Sequence, residues 1–184
     1  TTWVLNKGKV YFGSKGEATK MAGSITNIQE RKHKESRIEH LAYFDVLTGL
    51  PNKTHFEELL ESKRRNFLHH QSPCTILMLD LDNFKMHNDS LGLDFCDQLL
   101  KHIGEKISAI AGTQNITARF GGDEFLILLS DTPTLKVAED ICQRILDIFR
   151  NPFLLDLKMV HITASIGMVH CQDPTFTVSE TIRN

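Results

Sequence analysis

Two adjacent glycines, Gly121 and Gly122, constrain the fold of this chain more than any other feature of its sequence. They lie between two short runs of residues that favour β-strands, 115–120 and 125–129. A tight hairpin turn needs a positive φ angle, which glycine adopts without a side-chain clash. The pattern therefore predicts a β-hairpin whose turn contains these glycines.

Two acids, Asp123 and Glu124, follow the glycines directly. Neighbouring carboxylates repel each other, and a rigid turn tolerates this repulsion when both groups face water or a cation. The turn alone therefore leaves two interpretations open, a plain acidic surface turn and half of a binding site.

The bulk composition is that of an ordinary globular protein. Of the 184 residues, 41% are hydrophobic and 24% charged, so a packed core is expected. The length is sufficient for one full domain and part of a second. The formal net charge of −2 is not typical of a nucleic-acid-binding protein. No apolar run approaches the roughly 18 residues of a membrane span, so we expect a cytoplasmic segment without membrane contact of its own. That it is the cytoplasmic part of a larger, membrane-anchored protein remains open.

The four cysteines, Cys74, Cys96, Cys142 and Cys171, show no Cys-x-x-Cys spacing. This favours reduced, mostly buried thiols in a cytosolic protein. His170 beside Cys171 could be a fragment of a metal site, but two ligands without partners do not make one.

The first 29 residues predict two or three short strands, too few to form a core. We therefore expect residues 1–29 to be the end of a domain whose front is absent, and the segment 23–32 resembles the closing strand and exit of a PAS sensor domain. The charged segment 30–44 gains apolar residues at helical spacing and predicts a linker helix. Both a solvated helix and a parallel coiled coil remain open for it, and residues 45–184 form the main domain.

The order of elements in the main domain is helix, strand, helix, hairpin, helix, strand. It predicts an α/β (α+β) fold with a central mixed, mostly antiparallel sheet wrapped by helices. The run 74–82 reads as a strand buried on both faces, and 159–169 as a last long strand. The tail 177–184 reads as the beginning of a helix.

Acidic residues also end the buried strand. Asp80 and Asp82 flank Leu81, so alternation sends both carboxylates to one face of the sheet. If this strand lies beside the hairpin, Asp80 and Asp123 converge on one cation. Oxygen ligands without histidine or cysteine select Mg²⁺ or Mn²⁺, whose remaining positions are filled by water and phosphate oxygens. A nucleoside triphosphate is the substrate class that fits.

Three further polar residues have two interpretations each. Lys85 could neutralise triphosphate charge or be a solvated lysine. Asn88 and Asp97 could read the donor and acceptor groups of a guanine. Helix capping near the break at Gly92 is the alternative that the chemistry alone favours, with Asn88 or Asp89 ending one helix and Asp94 starting the next.

Taken together, several motifs identify the family. The segments 45–52, 80–85 and 88–92, followed by Gly-Gly-Asp-Glu-Phe at 121–125, resemble in order and spacing a GGDEF domain, the catalytic domain of diguanylate cyclases. The resemblance extends from about Leu41 to the end of the chain. It implies a fold like that of nucleotidyl cyclases and polymerase palms, and condensation of two GTP molecules into cyclic di-GMP with release of pyrophosphate.

The resemblance also implies residue roles. The metal ligands would be Asp80, the Leu81 carbonyl and Asp123. Glu124 would assist deprotonation of the 3′-hydroxyl and Lys85 would stabilise developing charge. The substrate-binding positions it implies are Asn83, Phe84, Asn88, Asp97, Gly121 and Gly122. Because each domain binds one GTP, the resemblance implies a homodimer with the two sites face to face.

The chain departs from the family pattern at several positions. Gly112 and Asn115 stand where many members carry the arginine and aspartate of an inhibitory product site, so we expect no such site. Leu93 and Cys96 replace a common histidine and glycine near the guanine loop. The resemblance also implies that the family's last helix, which contacts the triphosphate, lies beyond Asn184, so this segment is expected to be weakly active or inactive by itself.

A degenerate GGDEF module remains the alternative function. Such a module would bind GTP and regulate an attached output domain, for example a cyclic di-GMP phosphodiesterase.

Overall fold

The computed structural model describes residues 2–12, 14–70, 73–130 and 134–171. By its internal contacts the chain divides into two compact units, residues 1–41 and 42–184. The predicted helix in 177–184 lies outside the described residues.

The first unit is a β-hairpin followed by a helix. Strand β1 (Val4–Phe12) pairs antiparallel with β2 (Ala18–Asn27), and helix α1 (Gln29–Tyr43) follows. Gly23 lies opposite Gly8, and a Cβ on Gly23 would lie 2.8 Å from the Lys7 carbonyl oxygen, so the close pairing requires glycine there. No residue of α1 is buried.

The second unit is built on a four-stranded sheet. Its helices are α2 (Lys53–His70), α3 (Phe84–Leu91), α4 (Leu93–Ala111) and α5 (Leu135–Asp147). Its strands are β3 (Cys74–Leu81), β4 (Ile116–Gly121), β5 (Glu124–Leu129), β6 (Phe153–Leu155), β7 (Lys158–Val160) and β8 (Ala164–Cys171). The central sheet has the order β4-β5-β3-β8, and β6 and β7 form a separate hairpin.

Helices cover both faces of the central sheet. The first face carries alternate residues of β3 and β5, such as Leu79 and Phe125, which pack with apolar residues of α4 and α5. The second face carries the other set, including Ile76 and Leu126, which form a smaller cluster with Phe56 of α2. Because β3 and β5 are buried on both faces, their sequences are nearly continuous apolar runs.

The predicted fold class is confirmed, and every pair of neighbouring strands in the described central sheet is antiparallel. The single strand predicted over 159–169 is wrong. Lys158–Val160 belongs to the small hairpin, and the chain joins the central sheet only from Ala164. Ile162, between the two strands, is only 2% exposed, so its burial preserves the alternating pattern across the break.

Within the described residues, none of the helices combines the length and the apolar character that crossing a membrane requires.

Candidate active site at the edge of the central sheet

The turn of the β4–β5 hairpin has two residues, Gly122 and Asp123, because Gly121 pairs with Glu124 across it. Gly122 has a φ of 53°, in the left-handed region that favours glycine. The predicted hairpin is therefore confirmed, but its turn lies one residue later than the glycine pair. Gly121 ends β4, Asp123 lies in the turn, and Glu124 is the first residue of β5.

The sheet places a third acid beside the hairpin. Asp80 of β3 lies directly opposite Glu124 of β5, so both side chains project from the second face. Partial desolvation of its carboxylate, followed by the negative charges of Asp123 and Asp82, raises the pKa of Asp80. Burial, followed by Asp80 and Asp123, likewise raises the pKa of Glu124. The fold therefore holds like charges together at a cost in electrostatic repulsion.

Such a cluster suits a divalent cation, which removes the repulsion between carboxylates. Within the described residues no group of three or more histidine, cysteine, aspartate or glutamate side chains is arranged to hold a metal ion. Asp80 and Asp123 are two oxygen donors, and Leu81, at the end of β3, adds a backbone carbonyl. A small donor set that leaves positions for water and phosphate is what Mg²⁺ accepts.

Lys53, for which no role was predicted from the sequence, places a positive charge near Glu124. It is the first residue of α2, and its ammonium lies 4.4 Å from the centre of the Phe120 ring. Its positive charge partly offsets the upward shift in the pKa of Glu124. Its position two residues after Pro51, far from the glycines in sequence, gave no signal of this proximity.

Asp82 has a different environment from Asp80. Its carboxylate accepts hydrogen bonds from the hydroxyls of Thr163 (2.6 Å) and Ser165 (2.8 Å), and its amide donates to the Thr163 carbonyl (3.0 Å). It therefore ties the end of β3 to the beginning of β8. Side-chain alternation in the sequence could not show that Asp82 has this structural role while Asp80 faces Glu124.

Arg119 stabilises the hairpin turn, a role that was not predicted from the sequence. Its guanidinium donates to the Gly122 carbonyl through Nε (3.1 Å) and a terminal nitrogen (2.7 Å), and to Asp45 Oδ1 (3.0 Å). The Arg119 amide also donates to the Pro51 carbonyl (2.9 Å). An arginine two residues before a glycine pair was the available signal.

The loop before α2 supplies the partner of this arginine. Asp45 also accepts hydrogen bonds from the amide (2.8 Å) and hydroxyl (2.7 Å) of Thr48. Burial by itself raises the pKa of Asp45, but the bonds from Thr48 and Arg119 outweigh it and lower the pKa. The segment 45–52, recognised in the sequence as a motif, is thus a folded loop that supports the hairpin.

The residues after β3 turn sharply into α3. Asn83 has a φ of 57°, unusual for a residue other than glycine, and makes no side-chain cap to the helix. The side chain of Phe84 is buried in the core, so only its backbone is available to a ligand. Lys85 is exposed in the first turn of α3.

Asn88 and Asp97 lie on either side of the break between α3 and α4. Gly92, with a φ of 88°, closes α3 through its amide to the Asn88 carbonyl (3.1 Å) and begins α4 without a side-chain cap. Capping by the side chains of Asn88 and Asp94 is therefore not observed at these two helix ends. Asp97 is exposed on α4.

Gly112 and Asn115, the positions where many family members carry the inhibitory site, serve the local fold. Gly112, with a φ of 82°, caps α4 through its amide to Ser108. The Asn115 side chain donates to the Ala111 carbonyl (2.7 Å) and accepts from the Ser130 amide (2.8 Å). Both ends of this amide are therefore used inside the protein.

Comparisons with known proteins agree with the fold. The sequence model of the family described as diguanylate cyclase, GGDEF domain, matches residues 42–184. The chain is 36% identical over 141 residues to the cyclic di-GMP phosphodiesterase NbdA of Pseudomonas aeruginosa, covering 77% of this chain and 18% of NbdA. It is also 36% identical over 133 residues to the bifunctional diguanylate cyclase/cyclic di-GMP phosphodiesterase MucR of that organism, covering 70% of this chain and 18% of MucR.

Among solved structures, the diguanylate cyclase SiaD of Pseudomonas aeruginosa, in complex with its activator SiaC, is similar with a TM-score of 0.71 and 30% identity. The match covers 85% of this chain and 62% of that one. The chain spans less than a fifth of NbdA and of MucR, so their activities as whole proteins do not transfer to it directly. The family model, in contrast, matches most of this chain, and the chain therefore belongs to the GGDEF domain family.

Proposed function

We propose that this GGDEF domain is half of a diguanylate cyclase, in which two copies, each holding one GTP, face each other. The observation that carries the proposal is the carboxylate cluster, in which Glu124 lies opposite Asp80 with Asp123 in the adjoining turn. The repulsion between these carboxylates destabilises the fold, and a bound cation with its phosphate ligands would relieve it. Carboxylates perturbed in this way are typical of functional sites.

In the proposed reaction, the 3′-hydroxyl oxygen of each GTP forms a bond to the α-phosphorus of the other. The bond from that phosphorus to the β-phosphate oxygen breaks, and pyrophosphate leaves. Glu124, which lies opposite Asp80 on the neighbouring strand, accepts the hydroxyl proton as the general base. Two such transfers close the ring of cyclic di-GMP.

Mg²⁺, or Mn²⁺, would be held by Asp80, Asp123 and the Leu81 carbonyl, and when bound it supplies positive charge to the phosphates. Lys85 would add a further positive charge from the first turn of α3. The Asn83 side chain does not cap α3, and the Met86 and His87 amides donate to the Asn83 carbonyl. The amides of Phe84 and Lys85 would therefore be the ones to meet phosphate oxygens.

Space around the glycines supports substrate binding at the turn. A Cβ on Gly121 would meet no atom within 4 Å, and its φ is not positive. The fold of the isolated domain therefore does not require glycine there, whereas close approach of a nucleotide to the backbone does. Asn88 and Asp97 would hydrogen-bond the guanine.

The first unit supports a sensory input. Phe12, Met21 and Ile25 are 67%, 73% and 73% exposed on a two-stranded hairpin that cannot form a core by itself. We propose that residues 1–29 complete a larger PAS-like sensor domain, that residues 30–44 link it to the catalytic domain, and that residues 45–184 are the GGDEF domain. Its signal would control the meeting of two catalytic domains.

A regulatory module is the second candidate, favoured by the similarity to a relative named as a phosphodiesterase. In this version the domain binds GTP without condensing it and controls an attached output domain. GTP binding without product formation distinguishes the two.

The deciding experiment measures cyclic di-GMP by chromatography after incubating the full-length protein that contains this chain with GTP and Mg²⁺. We expect product from the wild type, with a rate that rises more steeply than linearly with protein concentration because two domains must meet. Glu124→Gln should lower the rate at least about 100-fold through loss of the base.

Glu105→Gln, which changes an exposed glutamate of α4, is the matched control and should leave the rate unchanged. GTP binding measured by calorimetry, with no product at any protein concentration, would reject the cyclase in favour of the regulatory module. Absence of GTP binding as well would reject both.

A second substitution examines the space at the turn. Gly121→Ala should fold normally, since the added methyl group meets open space. We expect GTP to bind at least about tenfold more weakly, because the methyl group occupies room meant for the nucleotide. Unchanged GTP affinity in calorimetry would show that the nucleotide does not approach this residue.

A further inference from the structure

Two of the four cysteines face each other across neighbouring strands. Cys74, the first residue of β3, lies directly opposite Cys171, the last residue of β8. Their side chains are 5% and 4% exposed and belong to the apolar cluster on the second face of the sheet. Both are reduced. The carboxylates assigned to catalysis lie toward the other end of these strands.

The pairing suits a covalent link. Directly opposed residues of antiparallel strands have Cα atoms about 4.5 or 5.5 Å apart, and disulfides span Cα distances of about 4.4–6.8 Å. Their Cβ atoms lie about 4.5–5.5 Å apart, whereas a disulfide brings them to about 3.5–4.5 Å. The link therefore requires the two strand ends to approach by up to about 1 Å, which would leave the disulfide somewhat strained.

We propose that Cys74 and Cys171 are a redox-active pair that a peroxide converts into a reversible intrachain disulfide. One sulfur attacks a peroxide oxygen, so that an S–O bond forms, the O–O bond breaks and water leaves. The second sulfur then attacks the resulting sulfenic acid, so that the S–S bond forms, the S–O bond breaks and a second water leaves. Overall the two thiols lose two electrons and two protons, and hydrogen peroxide becomes two waters.

The environment sets the rate of the first step and the ease of reversal. The hydrogen bond between the two thiols, followed by burial, raises the pKa of Cys171, so little thiolate exists at neutral pH. The pair therefore resists brief exposure to peroxide and responds to sustained exposure. Once one sulfur is oxidised, the other is already in contact with it. A strained disulfide is also more easily reduced, which makes the change reversible.

The structural consequence is a clamp between β3 and β8. The disulfide would close a loop of about 100 residues that includes the hairpin, α4 and α5, and it would prevent β8 from separating from β3. This inference does not depend on the proposed cyclase activity, since the two thiols lie outside the carboxylate cluster.

The experiment exposes the 184-residue chain to hydrogen peroxide, blocks remaining thiols by alkylation and maps linked peptides by mass spectrometry. We expect one intrachain link, between Cys74 and Cys171, with loss of two hydrogen atoms. Dithiothreitol should restore four alkylatable thiols. The oxidised protein should melt about 5 °C or more above the reduced protein.

Cys171→Ala should abolish both the link and the melting shift. Cys142→Ala, which changes a half-buried cysteine on α5, should retain both. Links that involve Cys96 or Cys142, links between chains, or no link while circular dichroism shows a folded protein would each overturn the proposal. Should Cys171→Ala fail to fold, the peptide map of the wild type and of Cys142→Ala still decides.

Discussion

The second unit contains two hairpins with two-residue turns, and they reach positive φ angles with different residues. In the β4–β5 hairpin the turn is Gly122 and Asp123, and the left-handed residue is glycine. In the β6–β7 hairpin the turn is Asp156 and Leu157, with φ angles of 46° and 64°. A leucine in this region costs about 1 kcal/mol that glycine avoids.

Their surroundings also differ. The first turn accepts two hydrogen bonds from Arg119, whose guanidinium is also paired with Asp45, and its strands belong to the central sheet. The second belongs to an isolated two-stranded sheet, and Leu157 is 96% exposed. Among the described residues, side-chain hydrogen bonds stabilise the turn that carries Asp123, and none reaches Asp156 or Leu157 in the other turn.

The largest effect is expected from replacing Arg119, which stabilises the β4–β5 turn. Arg119→Met loses the hydrogen bonds to Gly122 and leaves Asp45 partly buried without its cation, since the two side chains are only 12% and 24% exposed. We expect a loss of about 2 kcal/mol in the free energy of unfolding, measured by urea denaturation. Arg150→Met, which breaks an exposed pair with Asp147, should cost less than about 0.5 kcal/mol.

This effect should depend on pH in one direction. Because the folded pKa of Asp45 is lowered, its contribution to stability is present above its unfolded pKa and is lost as the pH falls through the folded pKa. The stability difference between wild type and Arg119→Met should therefore shrink in acid. A difference that stayed constant from neutral pH into acid would show that the ion pair contributes nothing.

Replacing the strained leucine should have a smaller and opposite effect. Leu157→Gly relieves the left-handed strain and loses no buried contact, since the side chain is exposed. We expect a gain of up to about 1 kcal/mol, or roughly 2–4 °C in melting temperature. Gly122→Ala, the reciprocal change, should destabilise the protein. A loss of stability in Leu157→Gly would show that the leucine makes contacts that offset its backbone strain.

The smallest expected effect concerns the acids beside the first turn. A raised folded pKa means that Asp80 destabilises the fold once the pH rises through that value, so Asp80→Asn should stabilise the protein at neutral pH. Because Asp80 is exposed, the gain should stay below about 1 kcal/mol. Asp82→Asn should instead destabilise it, since Asp82 accepts two hydroxyl hydrogen bonds. Equal effects of both changes would contradict their different environments.

Local patterns were sufficient for much of the fold. The glycine pair predicted the hairpin, the apolar run that ends in Asp80 predicted β3, and the 3.6-residue spacing predicted α4, which the structure has over Leu93–Ala111. The family motifs selected the acids that the sheet brings together. These features depend on backbone preferences and side-chain periodicity, which act over a few residues and are therefore visible in the sequence.

The remaining features depend on contacts between distant segments. The strand predicted over 159–169 is wrong because the chain passes from one sheet to another within it. Ile162, which connects the two strands, is buried, so the alternating pattern continues across the break and does not reveal it. The sequence by itself determined that the chain has a glycine hairpin with acids at its turn. Only the tertiary structure decided that Asp80 faces Glu124 while Asp82 binds β8, and that Arg119 supports the turn, because strand register sets which side chains meet.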